Sequence, residues 1–396
     1  MKKNFLLAGS FVMGLLMAFT SCSEDKSNDG GQQVGAGDAF ACIEQIIDGC
    51  SDIANEVGES KIGDPLTKFN EGHEQEALFA VESWYSFHSR EDYSNNILSV
   101  RNSYYGTLNA TKDAFDETVS PNSISALIKA NNPTLDTRVK AAIKDAYTAI
   151  LAIPNPFRNN INCQEAKDAQ DRCAELVNIL TELKTYMSST EAVNQDDVLA
   201  PIVDNYVDNI VLPTYQKLKE ENAKLYQAVT KFQESPSDEN FGKVATQWLE
   251  ARAPWETSEA FLFGPVDDKG LDPNMDSWPL DANIIARILT SGAYDNLDWS
   301  DEDSDETIEA KQGIRGFHTL EFLTFYNGHA RTLNDARLGE GDQYLVYTSE
   351  NAASWGNYMK QVAYLLQKDA ADLYKYWTED YKNGRSFADL FKSYDF

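Results

Sequence analysis

The chain has 396 residues, 42 % of them apolar, and carries 63 acidic against 34 basic side chains for a formal charge of −29. That length is more than one small core requires and suffices for two domains of ordinary size. So acidic a chain argues against nucleic acid and anionic lipid as charge partners and suits cationic ligands, beyond what the charge does for solubility.

Lys2 and Lys3 precede an apolar run from Phe5 to Phe19 that is short for a bilayer span, which predicts a secretory signal over 1–21. Phe19-Thr20-Ser21-Cys22 resembles a bacterial lipobox, with Phe at an unusual place, and so predicts Cys22 as the lipidated N-terminus of the mature chain. The membrane partner is then met through an anchor. Residues 22–37, rich in Ser, Asn, Gly and Gln, read as a flexible tether. Ser23-Glu24-Asp25 resembles the acidic signals that send some Gram-negative lipoproteins to the cell surface, so the expected location is the outer membrane, on its periplasmic or its outer face.

Beyond the tether the pattern is helical. The first domain is expected over 38–190. Its cysteines are Cys42, Cys50, Cys163 and Cys173. Asn162 and Glu165 read as an N-cap and capping box, which puts Cys163 and Cys173 on one helix about 15 Å apart, so any disulfide joins the Cys42/Cys50 segment to the Cys163/Cys173 segment. Free buried thiols are the alternative. His73 followed by Glu74-Gln75-Glu76-Ala77 comes close to the zinc-protease pattern H-E-x-x-H but has Ala77 where the second histidine belongs. Cys173, Leu176, Leu180, Leu183 and Met187 form an apolar helical seam.

The polar stretch from Ser188 to Asp197 has no periodicity and marks the domain boundary. The second domain, 196–396, opens on a seam of Val211, Tyr215, Leu218, Leu225, Val229 and Phe232 and closes on Val362, Leu366, Leu373 and Trp377. Sustained alternation is absent, which predicts an all-α fold. Asp301 to Gln312 begins like a calcium loop, but Glu306 replaces its glycine and Gln312 its bidentate glutamate, so a solvated helix start is the better reading. No glycine-rich phosphate loop or G-x-S-x-G elbow appears.

Arg315 to Phe325, "RGFHTLEFLTF", holds the candidate chemistry. On a helix His318 and Glu321 share one face, surrounded by Phe317, Leu320, Phe322, Leu323 and Phe325. A carboxylate so placed needs a partner, a hydrogen bond or a metal, and imidazole with carboxylate suits iron, zinc or manganese. A hydrogen-bonded pair inside a bundle core would satisfy the same spacing.

Gly316-Phe317-His318-Thr319-Leu320-Glu321 resembles the G-x-H-x-x-E signature of the imelysin-like proteins, bacterial envelope proteins associated with iron uptake. Gln247 to Pro265 resembles that family's W-x-x-x-R…E-x-F-x-F-G segment, and Trp278 to Asp281 its W-P-L-D block. Glu82 to Gly106 resembles a family helix, with Ser89 in place of the usual Thr, and Ala152 to Phe157 its P-F turn. Here that helix precedes the histidine motif instead of following it. The resemblance therefore implies a circularly permuted member built of two similar four-helix-bundle domains with a site at their interface. It places His318, Glu321 and Glu259 as metal ligands and Arg252 and Ser86 as ligand-binding residues.

The expected function is a cell-envelope lipoprotein that binds iron or an iron complex for an outer-membrane uptake partner. One alternative is an imelysin-type metallopeptidase using His318 and Glu321, which would need a third ligand and a positioned base close to the same metal. The other is a non-catalytic surface scaffold with a structural His-Glu pair.

Overall fold

The computed structural model describes residues 37–110, 114–300, 302–338 and 352–396. The signal segment, Cys22 and the tether up to residue 36 lie outside the described residues. In chain order the helices are α1 (Phe40–Asn55), α2 (Asp64–Asn70), α3 (Glu74–Ala80), α4 (Ser89–Tyr105), α5 (Ile124–Asn131), α6 (Pro133–Ala152) and α7 (Gln164–Ser189). They continue as α8 (Asp196–Tyr206), α9 (Leu212–Glu234), α10 (Asp238–Glu256), α11 (Pro265–Asp268), α12 (Leu271–Asp276) and α13 (Ala282–Ser291). The last are α14 (Asp305–Gln312), α15 (Gly316–Thr324), α16 (Leu333–Leu338), α17 (Ala352–Thr378) and α18 (Phe387–Lys392). The fold is all-α. Two-residue strands β1 (Phe325–Tyr326) and β2 (His329–Ala330) make the one sheet among the described residues, an antiparallel hairpin turned by Asn327 and Gly328 with φ of 52° and 81°.

The seams close as their spacing requires. Cys173, Leu176, Leu180, Leu183 and Met187 are buried on α7, which packs on α1 and α6, and Tyr215, Leu218, Leu225, Val229 and Phe232 are buried on α9, which packs on α10 and α17. Side-chain caps start many helices: Ser123, Asn132, Ser237, Ser304 and Ser386 each accept from a backbone N–H of the first turn. Ser304 heads the calcium-like stretch, where Asp303 accepts from Ser300 N and from Lys311, so the described part of that loop is a capped helix start.

One expectation is corrected here, and the free-thiol reading of the cysteines is met. The N-cap of α7 is Cys163 in place of Asn162, its sulfur accepting from Ala166 N at 3.3 Å. The four cysteines of the described residues are free; burial raises the thiols of Cys42, Cys50 and Cys173 to about 12, and Cys42 donates to the carbonyl of Phe391.

Four fully buried tryptophans, Trp248, Trp255, Trp355 and Trp377, anchor the helices around α15 and α17. Trp248 donates its indole N–H to the carbonyl of Phe317 and Trp355 to that of Leu323, which clamps α15 near both ends. At the start of α15, Gly316 has φ 85° and lies so close to α12 that a Cβ would meet the carbonyl oxygen of Met275 at 2.6 Å. Gly264, at φ 64°, likewise has the ring of Phe387 from α18 directly over it.

Candidate functional site

The site forms where α4, α10, α12 and α15 meet. α15 brings His318 and Glu321, both buried and facing the same way. His318 Nδ1 pairs with Glu321 Oε2 at 2.9 Å, which fixes the ring and leaves Nε2 directed at Asp276 Oδ1, 3.2 Å away, and at Arg252 Nη2, 3.3 Å away. The other Glu321 oxygen accepts from Tyr85 N, Ser86 N and Ser86 Oγ at 3.1, 2.8 and 2.7 Å. Four donors thus hold one carboxylate, the arrangement that a buried anion needs.

Arg252, on α10, is the central cation of the cluster. It pairs with Asp276 of α12, with Glu256 one turn along its own helix at 2.5 Å, and with Asp92 of α4 at 3.6 Å. Trp255 Nε1 donates to the second oxygen of Asp276 at 2.8 Å, Asn96 Nδ2 donates to Glu256 at 2.6 Å, and Ser83 Oγ donates to Asp92. Helix spacing explains the local geometry: Asp92 and Asn96 share a face of α4, Arg252 and Glu256 a face of α10.

Glu259 differs from these. It is 8 % exposed, and among the described residues no hydrogen bond or ion pair reaches its carboxylate; the charge that acts on it most is Lys61. Yet one oxygen from each of Glu256, Glu259 and Asp276 lies within 4.8 Å of the other two, a spacing that could hold a metal ion.

The electrostatics follow from too many buried carboxylates for the cations available. Burial raises Asp92 to about 7 and Glu256 to about 8 and pushes Glu259 well above the usual range, against the pull of Arg252 on the first two and of Lys61 on the third. Asp276 goes the other way: burial opposes its charge, but Arg252 and His318 hold it well below the usual range. For His318, burial and Arg252 disfavour the imidazolium, and hydrogen bonds to Asp276 and Glu321 outweigh them, so it is raised to about 9.

The imelysin family's sequence model matches residues 22–187 and 211–393. The chain belongs to the imelysin family. The chain is similar to the solved structure of an imelysin peptidase from Bacteroides ovatus, at 50 % identity and a TM-score of 0.72 over 76 % of this chain and 84 % of that one. Iron-regulated protein A of Synechococcus elongatus is 32 % identical over 124 residues, so the match spans 31 % of each chain and about a third of that relative's length.

In the structure Arg252, His318, Glu321 and Ser86 converge, and Glu259 lies beside Glu256 and Asp276. One helical placement needs correcting. Ser86 does not ride on a helix, because α4 starts at Ser89 and Ser83 and Phe87 have positive φ in the turn before it. α10, which carries Arg252, ends at Glu256, and Glu259 opens a separate 3-10 turn. Sequence reasoning missed Asp92, Asn96, Glu256 and Asp276. Glu256 was signalled by its place one turn after Arg252. His73 lies elsewhere, exposed beside Glu76 at the start of α3.

Proposed function

We propose that the protein is a cell-envelope lipoprotein that binds iron, free or as a complex, as cargo at the Glu256, Glu259 and Asp276 carboxylates with His318 Nε2 beside them. The observation that carries this reading is Glu259, a buried carboxylate that no hydrogen bond reaches among the described residues, with an oxygen within 4.8 Å of one from Glu256 and one from Asp276. Burial keeps a proton on it in the metal-free fold, and a cation that takes the proton's place is what would stabilise its charged form. Hard oxygen donors with one imidazole suit iron among first-row metals.

Glu321, expected as a direct ligand, takes a different part in the proposal. With its oxygens engaged by four donors, it orients His318 so that Nε2 is the nitrogen presented to the cation. Arg252 balances charge and fixes Asp276 and Glu256. The iron association has support from the iron-regulated relative's name. The anchor at Cys22 rests on the sequence, and mass analysis of the mature N-terminal peptide for a lipid adduct tests it. A peptidase reading takes its support from the Bacteroides ovatus relative, which is named a peptidase. Hydrolysis needs a metal position open to a peptide, and Glu256 and His318 are 0 % and 1 % exposed.

Glu259→Gln separates binding from structure. The variant is expected to melt close to the parent without metal, since the amide stands in for a carboxyl that burial keeps protonated, and to lose the rise in melting temperature that ferrous iron gives the parent. A variant that melts lower and still binds iron like the parent would show Glu259 to be a core residue.

A further inference from the structure

The 3-10 turn Glu259–Phe261 is held at its backbone by α1, α4 and α9. On the α4 side Ala260 N donates to Ser99 Oγ at 3.0 Å, and that hydroxyl donates in turn to the carbonyl of Asn96, whose own amide holds Glu256. From α9, Tyr215 donates its hydroxyl to the carbonyl of Phe261 at 3.0 Å. α1 meets the turn at Gly49. A Cβ on Gly49 would lie 2.2 Å from the carbonyl oxygen of Ala260 and 3.2 Å from its carbonyl carbon. Glycine inside a helix costs stability relative to alanine, so its place well within α1 calls for a reason. The turn supplies it. A methyl group and a backbone carbonyl cannot share that space, and the turn can move off α1 only by bending or breaking its bonds to Ser99 and Tyr215.

We infer that Gly49 is a positioning residue for cation binding: its missing side chain lets the turn lie against α1 at the depth where the Glu259 carboxylate stands with those of Glu256 and Asp276. The inference rests on the cation-site reading above. Gly49 acts through the backbone of Ala260, the residue that follows the ligand. Ser99 does the same from α4, and through Asn96 it ties the turn to Glu256, so the spacing of two of the three carboxylates is set by one stretch of backbone contacts. A cation tolerates a narrow range of ligand distances, and a site with a shifted ligand holds it in a different geometry as well as more weakly.

The test compares the parent with Gly49→Ala and with Gly58→Ala, a control in which the new Cβ would meet Cys173 of α7 at 2.9 Å. Mn²⁺, and Fe²⁺ under anaerobic conditions, are titrated calorimetrically, melts in chelator report stability, and the EPR spectrum of bound Mn²⁺ reports its ligand geometry. The inference expects Gly49→Ala to bind about tenfold or more weakly, the loss typical when an outer support of a metal ligand is changed, and to alter the Mn²⁺ spectrum. Gly58→Ala is expected to melt lower while keeping the parent's affinity and spectrum. Ser99→Ala, which frees the turn on its α4 side without adding an atom, is expected to weaken binding too and takes the place of Gly49→Ala if that variant does not fold. Parent-like binding and spectrum in the variant that loosens the turn, or an equal loss in Gly58→Ala, overturns this inference and leaves the cation site standing. A parent that takes up neither ion removes the cation site and this inference with it.

Discussion

Asp92 and Glu256, raised by burial to about 7 and 8, hold protons in the fold that the unfolded chain releases near its ordinary carboxylate values. The stability they allow is complete below those ordinary values and is lost as the pH rises through the folded ones. His318, raised to about 9, acts in the same direction: its contribution is complete below the ordinary histidine value and is lost towards pH 9. Asp276, held low, is lost as a stabilising anion only in strong acid. Metal-free protein is therefore expected to melt highest near about pH 5 and several degrees lower at about pH 9, with a shallower fall in saturating Mn²⁺ because the bound ion takes the place of the protons. Melts in chelator across that range check it; a melting temperature that climbs towards pH 9 would be inconsistent with this cluster. At this scale the sequence told which types of residue sit in the greasy surroundings of His318, because an ionisable pair among Phe317, Leu320 and Phe322 has to be answered from elsewhere. It did not tell that Asp276 and Asp92 give the answer, since short acidic side chains on α4 and α12 look the same in sequence whether they face solvent or an arginine.

The elements that deliver these residues are held by backbone contacts as much as by side chains. α12 and α15 touch at Met275 and Gly316, where a methyl group would overlap a carbonyl and the backbone has a left-handed φ of 85°. Gly316→Ala should therefore cost more than the ~1–3 kcal/mol of left-handed strain alone, and should weaken cation binding too, because Asp276 and His318 can no longer meet at 3.2 Å. Thermal melts and a Mn²⁺ titration of that variant measure both effects; parent-like values would show that α12 yields freely. Helix periodicity made α7, α9 and α17 legible, because each buries one stripe along its length. It failed in the turn from Val81 to His88, which has hydrogen bonds to Glu321 and an apolar sequence but no period, and it passed over the Asn-Gly hairpin, whose strands are too short to alternate.

For the whole molecule, the all-α class followed from the lack of alternating segments, whereas the arrangement of two similar four-helix bundles, the permuted order and a division at 188–197 stand as proposals. In the structure the polar stretch contains one 3-10 turn, Glu191–Val193, and its Asn194 and Asp196 accept from the backbone N–H groups of Gly37 and Ala39. α8 and α9 run on from it as a helix joined by a π-turn, Val207–Val211. Limited proteolysis is expected to cut first within 188–197 and to spare 211–232, as read from the masses of the fragments; a first cut inside α9 would remove the proposed division. The ring of Phe387 on Gly264 has a bearing on how the protein is handled and how it diverges. Gly264 follows Glu259 by five residues, so the loop that presents this carboxylate is braced by the last helix of the chain. Changes after Tyr381, whether a purification tag, a trimmed end or drift between orthologues, act on the ligand loop from outside.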